Sequence, residues 1–365
     1  MIASETFRPD WLAELRRRHP TLDPSIAEKM IFALALVEQL TQQEFSFVFK
    51  GGTCLVLLLG ELRRLSVDVD IITTATPAAI KAALEQVCAR PPFLRFEYHP
   101  IRSTKDAIPR GHYSIFFQPA QFLDRPEPAV TLDVLYEQHD YPQVLATPIQ
   151  SDFLLAEGPP QLVRIPSLES ILGDKLTAYA PNTTGIRYGH AKEKEIIKQL
   201  FDIGVLFDGV QQVEVVQAAY QAIVRKELGY RALTATSPAE VLLDSIRTSL
   251  QLARLKLNRT TPDDALAGQE LATGISAFAN FPFNTRFRTD EATTSAAKAA
   301  YLAARLLLAD YSALPRYPDS PAPAITDQRL NYLNKLRSVP AALFYWQHTI
   351  ALLNTSALFP ASILY

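Results

Sequence analysis

Three aspartates in two stretches of alternating sequence have the type and spacing to do chemistry. Asp68 and Asp70 are two positions apart in residues 67–72, which alternate with the period of a β-strand, so both carboxylates are predicted to leave one face. Asp133 interrupts residues 130–136, on the face opposite its apolar neighbours. Adjacent carboxylates near an apolar sheet need a cation, and oxygen ligands suit Mg²⁺ or Mn²⁺. Taken alone, each pattern is also typical of a solvent-facing edge strand.

If these two predicted strands are neighbours, the three carboxylates converge. Such a trio can hold two cations about 3.5–4 Å apart, one on a triphosphate and one lowering the pKa of an attacking hydroxyl. We therefore predict that Asp68, Asp70 and Asp133 are metal ligands. Asp133 is assigned to the second metal and to the nucleophile, and one alternative is that it also acts as the base that deprotonates the nucleophile. The six histidines lack the spacing of a zinc site, so carboxylates are the expected ligands.

A glycine pair lies one predicted helix before the two closely spaced aspartates. Lys50, Gly51, Gly52 and Thr53 follow the apolar residues 45–49, in the order strand, glycine turn, helix. Backbone N–H groups at such a turn can approach a phosphate closely, and the following helix N-terminus favours an anion. A tight structural turn explains a lone glycine pair equally well. A Walker A motif is excluded because no Gly-Lys-Ser/Thr follows.

Two charged residues interrupt apolar helical patterns in the second half of the chain. Lys175 follows apolar residues at spacings of seven, four and three, which places it on the apolar stripe, where it needs an anion. The alternative is a lysine that extends its ammonium from the edge of the stripe. Asp202 interrupts residues 200–207, so we expect it to meet Lys175, an arginine or a nucleotide. A structural salt bridge explains Asp202 as well as a catalytic role does.

The elements that must position these residues alternate between helix and strand at first and are helical afterwards. Helices are predicted over residues 10–43, for about a dozen residues after the glycines, and from 77 to 87, with strands near 45–49, 67–72, 93–99, 112–118 and 129–136. Beyond about residue 165 the patterns predict helices at 167–179, 192–207, 213–225, 238–257 and, after a proline-rich loop at 311–323, 327–352. The fold class is therefore α+β: domain 1–165 with a mixed sheet flanked by helices, then a mainly helical domain 166–365.

Composition limits the classes of protein to consider. With 365 residues, 48% hydrophobic and 20% charged, the chain is globular and long enough for two domains. Its longest apolar runs are far too short for a membrane span, and its N-terminus lacks the order of a signal peptide, so we expect a cytoplasmic protein. A formal net charge of −2 means that a nucleic-acid partner would need a local basic surface.

Residues 49–53 together with 64–71 resemble motif I of the AbiEii/AbiGii-type nucleotidyltransferase toxins, a family in the DNA polymerase beta-like nucleotidyltransferase superfamily. Residues 171–178 resemble the family's second motif, a helix whose lysine contacts the nucleotide triphosphate, and residues 198–203 resemble the next. The chain departs from the family pattern at Gln199, where many relatives carry Asp, and at Val56, where many carry Arg.

The resemblance implies a metal-dependent nucleotidyltransferase, the toxin of a bacterial toxin–antitoxin or abortive-infection (phage-defence) system, that moves NMP from NTP to RNA, the tRNA 3′ end above all. It implies Mg²⁺ or Mn²⁺, an NTP substrate and a cognate antitoxin. The catalytic residues expected are Asp68, Asp70, Asp133, Lys175 and Asp202; those expected at the nucleotide are Lys50, Gly51, Gly52, Thr53, Ser66 and Lys175. Nucleotidylation of a protein or small-molecule hydroxyl, and non-catalytic binding of nucleotide or antitoxin, are the alternative functions.

Two stretches are candidates for contacting RNA. One interleaves aromatic and cationic side chains, as a base-stacking surface would, and comprises Phe281, Phe283, Arg286, Phe287 and Arg288. A loop that packs its phenylalanines into the helical domain is the alternative. The other is the densest basic stretch, Arg187, His190, Lys192, Lys194 and Lys198, which fits triphosphate, RNA or a solvated helix face.

Overall fold

The computed structural model describes residues 1–100, 108–120 and 128–364. The chain forms two compact units, Met1–Ser167 (unit 1) and Leu168–Tyr365 (unit 2). Unit 1 is a mixed sheet with helices and unit 2 is mainly helical, which confirms the predicted fold class. None of the described helices is long and apolar enough to cross a membrane.

Unit 1 combines four α-helices with two sheets among its described residues. Its helices are α1 (Pro9–Arg18), α2 (Pro24–Thr41), α3 (Cys54–Leu58) and α4 (Pro77–Cys88), preceded by a short 3₁₀ helix at Ser4–Phe7. Its strands are β1 (Val48–Lys50), β2 (Val69–Thr73), β3 (Phe93–His99), β4 (Arg110–Phe117), β5 (Ala129–Tyr136), β6 (Val144–Pro148) and β7 (Leu162–Pro166).

The larger sheet has the strand order β1-β2-β5-β4-β3, and β6 and β7 form a separate antiparallel pair. In the larger sheet β2 and β5 run parallel, while the other neighbours are antiparallel. Alternate residues of β4 and β5 are buried, as the period of two requires. Helix α2 contributes to the core beneath that buried face, where Phe32 stacks on Phe117 with ring centroids 3.8 Å apart. The opposite face is left for polar side chains.

Two predictions about unit 1 need correction. The helix after the glycines has five residues instead of about a dozen, because the chain turns at Gly60, whose φ is +67°. Strand β2 begins at Val69, one residue after Asp68, so the alternation argument applies directly to Asp70 alone. The predicted strands at 93–99 and 129–136 coincide with β3 and β5.

Unit 2 is built from seven described α-helices: α5 (Leu168–Ala178), α6 (Glu193–Phe207), α7 (Val213–Tyr230), α8 (Pro238–Lys256), α9 (Ala265–Phe278), α10 (Thr289–Leu307) and α11 (Pro340–Asn354). Short 3₁₀ helices lie at Pro262–Asp264, Asn331–Ser338 and Ala361–Leu364. The single helix predicted at 327–352 is wrong: a 3₁₀ segment comes first, and Pro340 starts α11 at its N1/N2 position, which suits a residue without an N–H. Helices α9 and α10 were not predicted.

Helix α5 carries Lys175 and lies close against α7. A Cβ on Gly173 would stand 2.7 Å from the backbone oxygen of Val216 and the backbone nitrogen of Tyr220. The glycine therefore permits a helix contact that any side chain would force apart. This contact holds α5 in place within unit 2.

Candidate functional site

One row of charged and polar residues crosses the polar face of the larger sheet, strand by strand. Asp70 on β2 stands directly opposite Lys50 on β1 and, on its other side, opposite Asp133 on β5. The row continues from Asp133 to His112 on β4, and from His112 to His99 on β3. Directly paired residues project on the same face of strands about 4.8 Å apart. Two of the predicted carboxylates are therefore neighbours although 63 positions separate them in the sequence.

Asp70 also lies against the glycine turn. Gly51 has φ +84°, a conformation that favours glycine, and a Cβ there would stand 2.8 Å from Asp70 Cγ and closer still to Oδ2. The carboxylate thus occupies the space that a side chain at position 51 would need. The glycine turn and Asp70 therefore lie side by side.

The second glycine faces the loop that leads into β2. A Cβ on Gly52 would stand 2.9 Å from Ser66 Oγ and 3.0 Å from Arg64 Cζ. Arg64 is buried, and its Nη1 donates to the carbonyl of Leu65 at 3.2 Å. Sequence reasoning gave this arginine no role, although it stands inside the quoted motif. The structure places a guanidinium beside the glycine turn.

Thr53 and Ser66 are both predicted to contact nucleotide, and in the structure their side chains contact each other. Thr53 Oγ1 lies 2.6 Å from the backbone oxygen of Asp68 and 2.9 Å from Ser66 Oγ, and both side chains are buried. The threonine hydroxyl therefore fixes the backbone just before β2. This is a structural role that the sequence did not indicate, and a nucleotide contact by either residue stays a prediction.

Asp133 has a partner that sequence reasoning missed. His112 Nδ1 lies 2.6 Å from Asp133 Oδ1, and about half of each side chain is exposed. Farther along the row, His99 Nε2 lies 2.8 Å from Ser114 Oγ. The only signal in the sequence was alternation, since His112 and Ser114 flank the buried Tyr113 on β4.

The three predicted metal ligands are not placed alike. Asp70 and Asp133 share the row, whereas Asp68 precedes β2 and has no register partner in it. Across residues 1–100, 108–120 and 128–364, no three His, Cys, Asp or Glu side chains are grouped as a metal site. The convergence of all three carboxylates on one ion stays a prediction.

In unit 2, Lys175 and Asp202 form a buried ion pair. Lys175 Nζ lies 2.8 Å from Asp202 Oδ2 and 3.0 Å from Gln199 Oε1, and the Asp202 side chain is 1% exposed. This is one of the partners that the apolar pattern predicted for Asp202. Gln199, the departure from the family pattern, accepts a second hydrogen bond from the ammonium. A buried charge pair of this kind is costly to break from one side only.

The two RNA candidate stretches meet at one point. Phe287 is buried against Phe201 and Phe278, as the packing alternative predicted. Phe281 is partly exposed, stacks on Phe278 with centroids 5.9 Å apart, and has Lys194 Nζ 4.6 Å from its ring. The pair Lys194 and Phe281 is thus a cation over an aromatic ring, partly open to solvent.

The chain matches a described protein family in sequence. The family model described as "Nucleotidyl transferase AbiEii toxin, Type IV TA system" matches residues 35–280, more than half of the chain. The matched segment contains the glycine turn, the row on the sheet and the ion pair of unit 2. No curated protein matches the chain in sequence.

Several solved structures resemble the chain at low similarity. MenT4, a nucleotidyltransferase toxin from Mycobacterium tuberculosis H37Rv, is 15% identical with a TM-score of 0.41, over 60% of this chain and 71% of that one. JHP933 from Helicobacter pylori is 17% identical with a TM-score of 0.38, over 77% and 90% of the two chains. A nucleotidyltransferase-like protein from Paracoccidioides brasiliensis is 17% identical with a TM-score of 0.34, over 55% and 90%. Because these scores are low, the family assignment rests on the sequence match.

Proposed function

Because the chain belongs to the AbiEii family of nucleotidyltransferase toxins, of type IV toxin–antitoxin systems, we propose that it transfers NMP from NTP to an RNA acceptor. The nucleotidyltransferase activity follows from the family. The acceptor, the metal and the residue roles are our proposal. The observation that supports them most directly is the pairing of Asp70 with Asp133 on adjacent parallel strands, beside the Gly51 turn.

The residues present fit a hard divalent cation. Asp70 and Asp133 offer only oxygen atoms, lie on one face of the sheet and are partly open to solvent, which suits Mg²⁺ or Mn²⁺. We assign both as ligands, with Asp68 as the third. Bound there, the cation would neutralise charge on the NTP phosphates and acidify the acceptor hydroxyl.

The protein's own groups then have separate tasks. The turn at Gly51 and Gly52 would offer backbone N–H groups to the triphosphate, and Lys50 adds a positive charge at the end of the row. Asp133 accepts the proton of the attacking hydroxyl, so that the new phosphodiester forms as pyrophosphate leaves. Family resemblance assigns Lys175 to the triphosphate, with Asp202 holding its ammonium in a fixed position.

RNA, and the tRNA 3′ end in particular, is the proposed acceptor. Lys194 above the ring of Phe281 provides a cation and a stacking surface of the kind that binds single-stranded ends. Arg187, His190 and Lys192, all exposed, continue the positive charge along the chain. We further propose a cognate antitoxin as partner, a role in phage defence and a cytoplasmic location, as the family and the NTP substrate suggest.

The experiment incubates purified protein with each α-labelled NTP, Mg²⁺ and total bacterial RNA, and resolves RNA and protein products separately. A matched reaction contains Lys194→Ala/Phe281→Ala, which removes the proposed RNA surface without touching the row. We expect label in a tRNA-sized band with wild type, and about 5- to 150-fold weaker labelling with the double variant at subsaturating RNA, since base stacking contributes about 1–3 kcal/mol.

Other outcomes redirect the proposal. Label on protein, or on a small molecule, would show that the acceptor is not RNA, while the nucleotidyltransferase activity itself would stand. Equal labelling of RNA by wild type and the double variant would remove Lys194 and Phe281 from the acceptor surface. Absence of label in every fraction, with a folded protein, would contradict transfer to RNA.

A further inference from the structure

His112 on β4 forms a hydrogen bond with a proposed metal ligand, Asp133, on the neighbouring strand β5. Its Cα stands opposite Asp133 in the β4–β5 register, and its Nδ1 lies 2.6 Å from Asp133 Oδ1. An ionised carboxylate only accepts hydrogen bonds, so Nδ1 carries the hydrogen and donates. The distance is slightly shorter than the roughly 2.7–2.9 Å that is usual between a charged nitrogen donor and a carboxylate oxygen.

The hydrogen bond from His112 engages one of the two carboxylate oxygens of Asp133. It uses Oδ1 and therefore fixes the rotation of the Asp133 side chain about its last bond, which is otherwise broad. A carboxylate that is held on one oxygen presents its other oxygen in a single direction. Asp133 is half exposed, so packing alone does not hold it in that direction.

The histidine is itself held by the sheet. It is the third residue of β4, with β5 on one side and β3 on the other, and its ring stands 5.4 Å from that of His99. His99 does not extend the contact to Asp133, because its Nε2 is directed to Ser114 Oγ at 2.8 Å. The two histidines therefore differ in what they touch although they share one row.

From these contacts we infer that His112 is a positioning residue, which orients the carboxylate of Asp133 toward the metal and the attacking hydroxyl. This inference rests on the proposed function. Partners that hydrogen-bond a metal ligand from outside typically contribute about 10- to 100-fold in metal affinity or activity. A surface pair with no such role would contribute almost nothing, since half-exposed ion pairs contribute little to stability.

The test compares three substitutions at one position. His112→Ala removes the donor, His112→Asn keeps a donor nitrogen close to the place of Nδ1, and His112→Gln moves the same amide one bond farther away. We expect about 10- to 100-fold lower kcat and a higher half-saturating Mg²⁺ concentration for Ala and Gln. His112→Asn should recover most of the kcat and most of the Mg²⁺ affinity. In all three variants KM for NTP should stay within about twofold of wild type, because Asp70 and the glycine turn are intact. His99→Ala is the comparison on the neighbouring strand: because His99 Nε2 contacts Ser114 Oγ and not Asp133, the half-saturating Mg²⁺ concentration should stay at the wild-type value.

A double variant separates positioning from a purely structural effect. If His112 acts only through Asp133, then adding His112→Ala to Asp133→Asn changes the residual rate no further. Wild-type kcat and Mg²⁺ dependence in His112→Ala, or equal losses in His112→Asn and His112→Ala, would overturn the inference. Asp70→Asn, run in parallel, tests the proposed function separately: activity in that variant contradicts the metal site, whereas its inactivity beside a fully active His112→Ala contradicts the role of His112 alone.

Discussion

Replacing Gly51 by alanine should separate a backbone effect from an effect on the site. The new Cβ would stand 2.8 Å from Asp70 Cγ. Since carbon atoms pack at about 3.5–4.0 Å, the carboxyl group must move by roughly 1 Å. A displacement of that size at a reacting group can lower the rate about 100-fold, which corresponds to about 2.7 kcal/mol in the activation free energy. The positive φ of position 51 adds about 1–2 kcal/mol of strain in the folded state.

Gly60→Ala provides the matched control. Gly60 has φ +67° and nothing within 4 Å of the position of a Cβ, so the variant carries the same backbone strain without moving Asp70. We expect both variants to lose a similar free energy of unfolding in urea, and Gly51→Ala alone to lose about 100-fold in kcat/KM for NTP in a label-transfer assay. Equal activity of the two variants would refute the placement of Asp70 against the turn.

Three further predictions concern other contacts. Asp202→Ala should lower the free energy of unfolding by about 3–5 kcal/mol, because it leaves the buried ammonium of Lys175 without its counter-charge; a urea titration that shows less than 1 kcal/mol would contradict this. Thr53→Val should lower it by about 1–3 kcal/mol by leaving the backbone oxygen before β2 without its hydroxyl donor, whereas Thr53→Ser should retain stability. Burial raises the pKa of the Cys88 thiol to about 11, so the thiol stays protonated at pH 8 and its alkylation by iodoacetamide should rise only as the pH approaches 11; fast alkylation at pH 8 would be the opposite result.

Strand periodicity carried most of what the sequence could predict about the sheet. The alternation in β5 is regular, so its limits and the polar face of Asp133 followed from residue order alone. Alternation tells which face a side chain takes, but it does not tell which strands are neighbours. From the sequence, Asp70 and Asp133 were therefore expected to meet only if their strands are neighbours. The strand order β1-β2-β5-β4-β3 makes them neighbours.

His112 shows why part of the site was not predictable. Its neighbours in sequence give no sign of a partner, because that partner lies on β5, 21 positions away. The spacing of the histidines bears on zinc binding, but it gives no information about a hydrogen bond from His112 to a carboxylate on another strand. The length of α3 was overestimated for a different reason: the apolar run continues past Leu58, and the turn at Gly60 ends the helix before the pattern does.

The helical unit was predicted less completely. Lys175 and Asp202 are charged residues in apolar helical patterns, so each was predicted to have a charged partner. Their ion pair provides that partner for both residues. Helices α9 and α10 were missed although both are regular in the structure. Helix α10 is rich in alanine, and a stripe built from alanines contrasts weakly with its surroundings.

The measurement that tests the central claim most directly follows pyrophosphate release and label transfer together, in wild type and Asp70→Asn. Asparagine keeps the size of the side chain beside Gly51 and removes the negative charge, so circular dichroism and urea unfolding should match wild type. With Mg²⁺, NTP and RNA, wild type should release one pyrophosphate for each nucleotide transferred, and Asp70→Asn should lose both signals at least 100-fold. Equal rates in the two proteins would contradict an active site built on the paired carboxylates of β2 and β5.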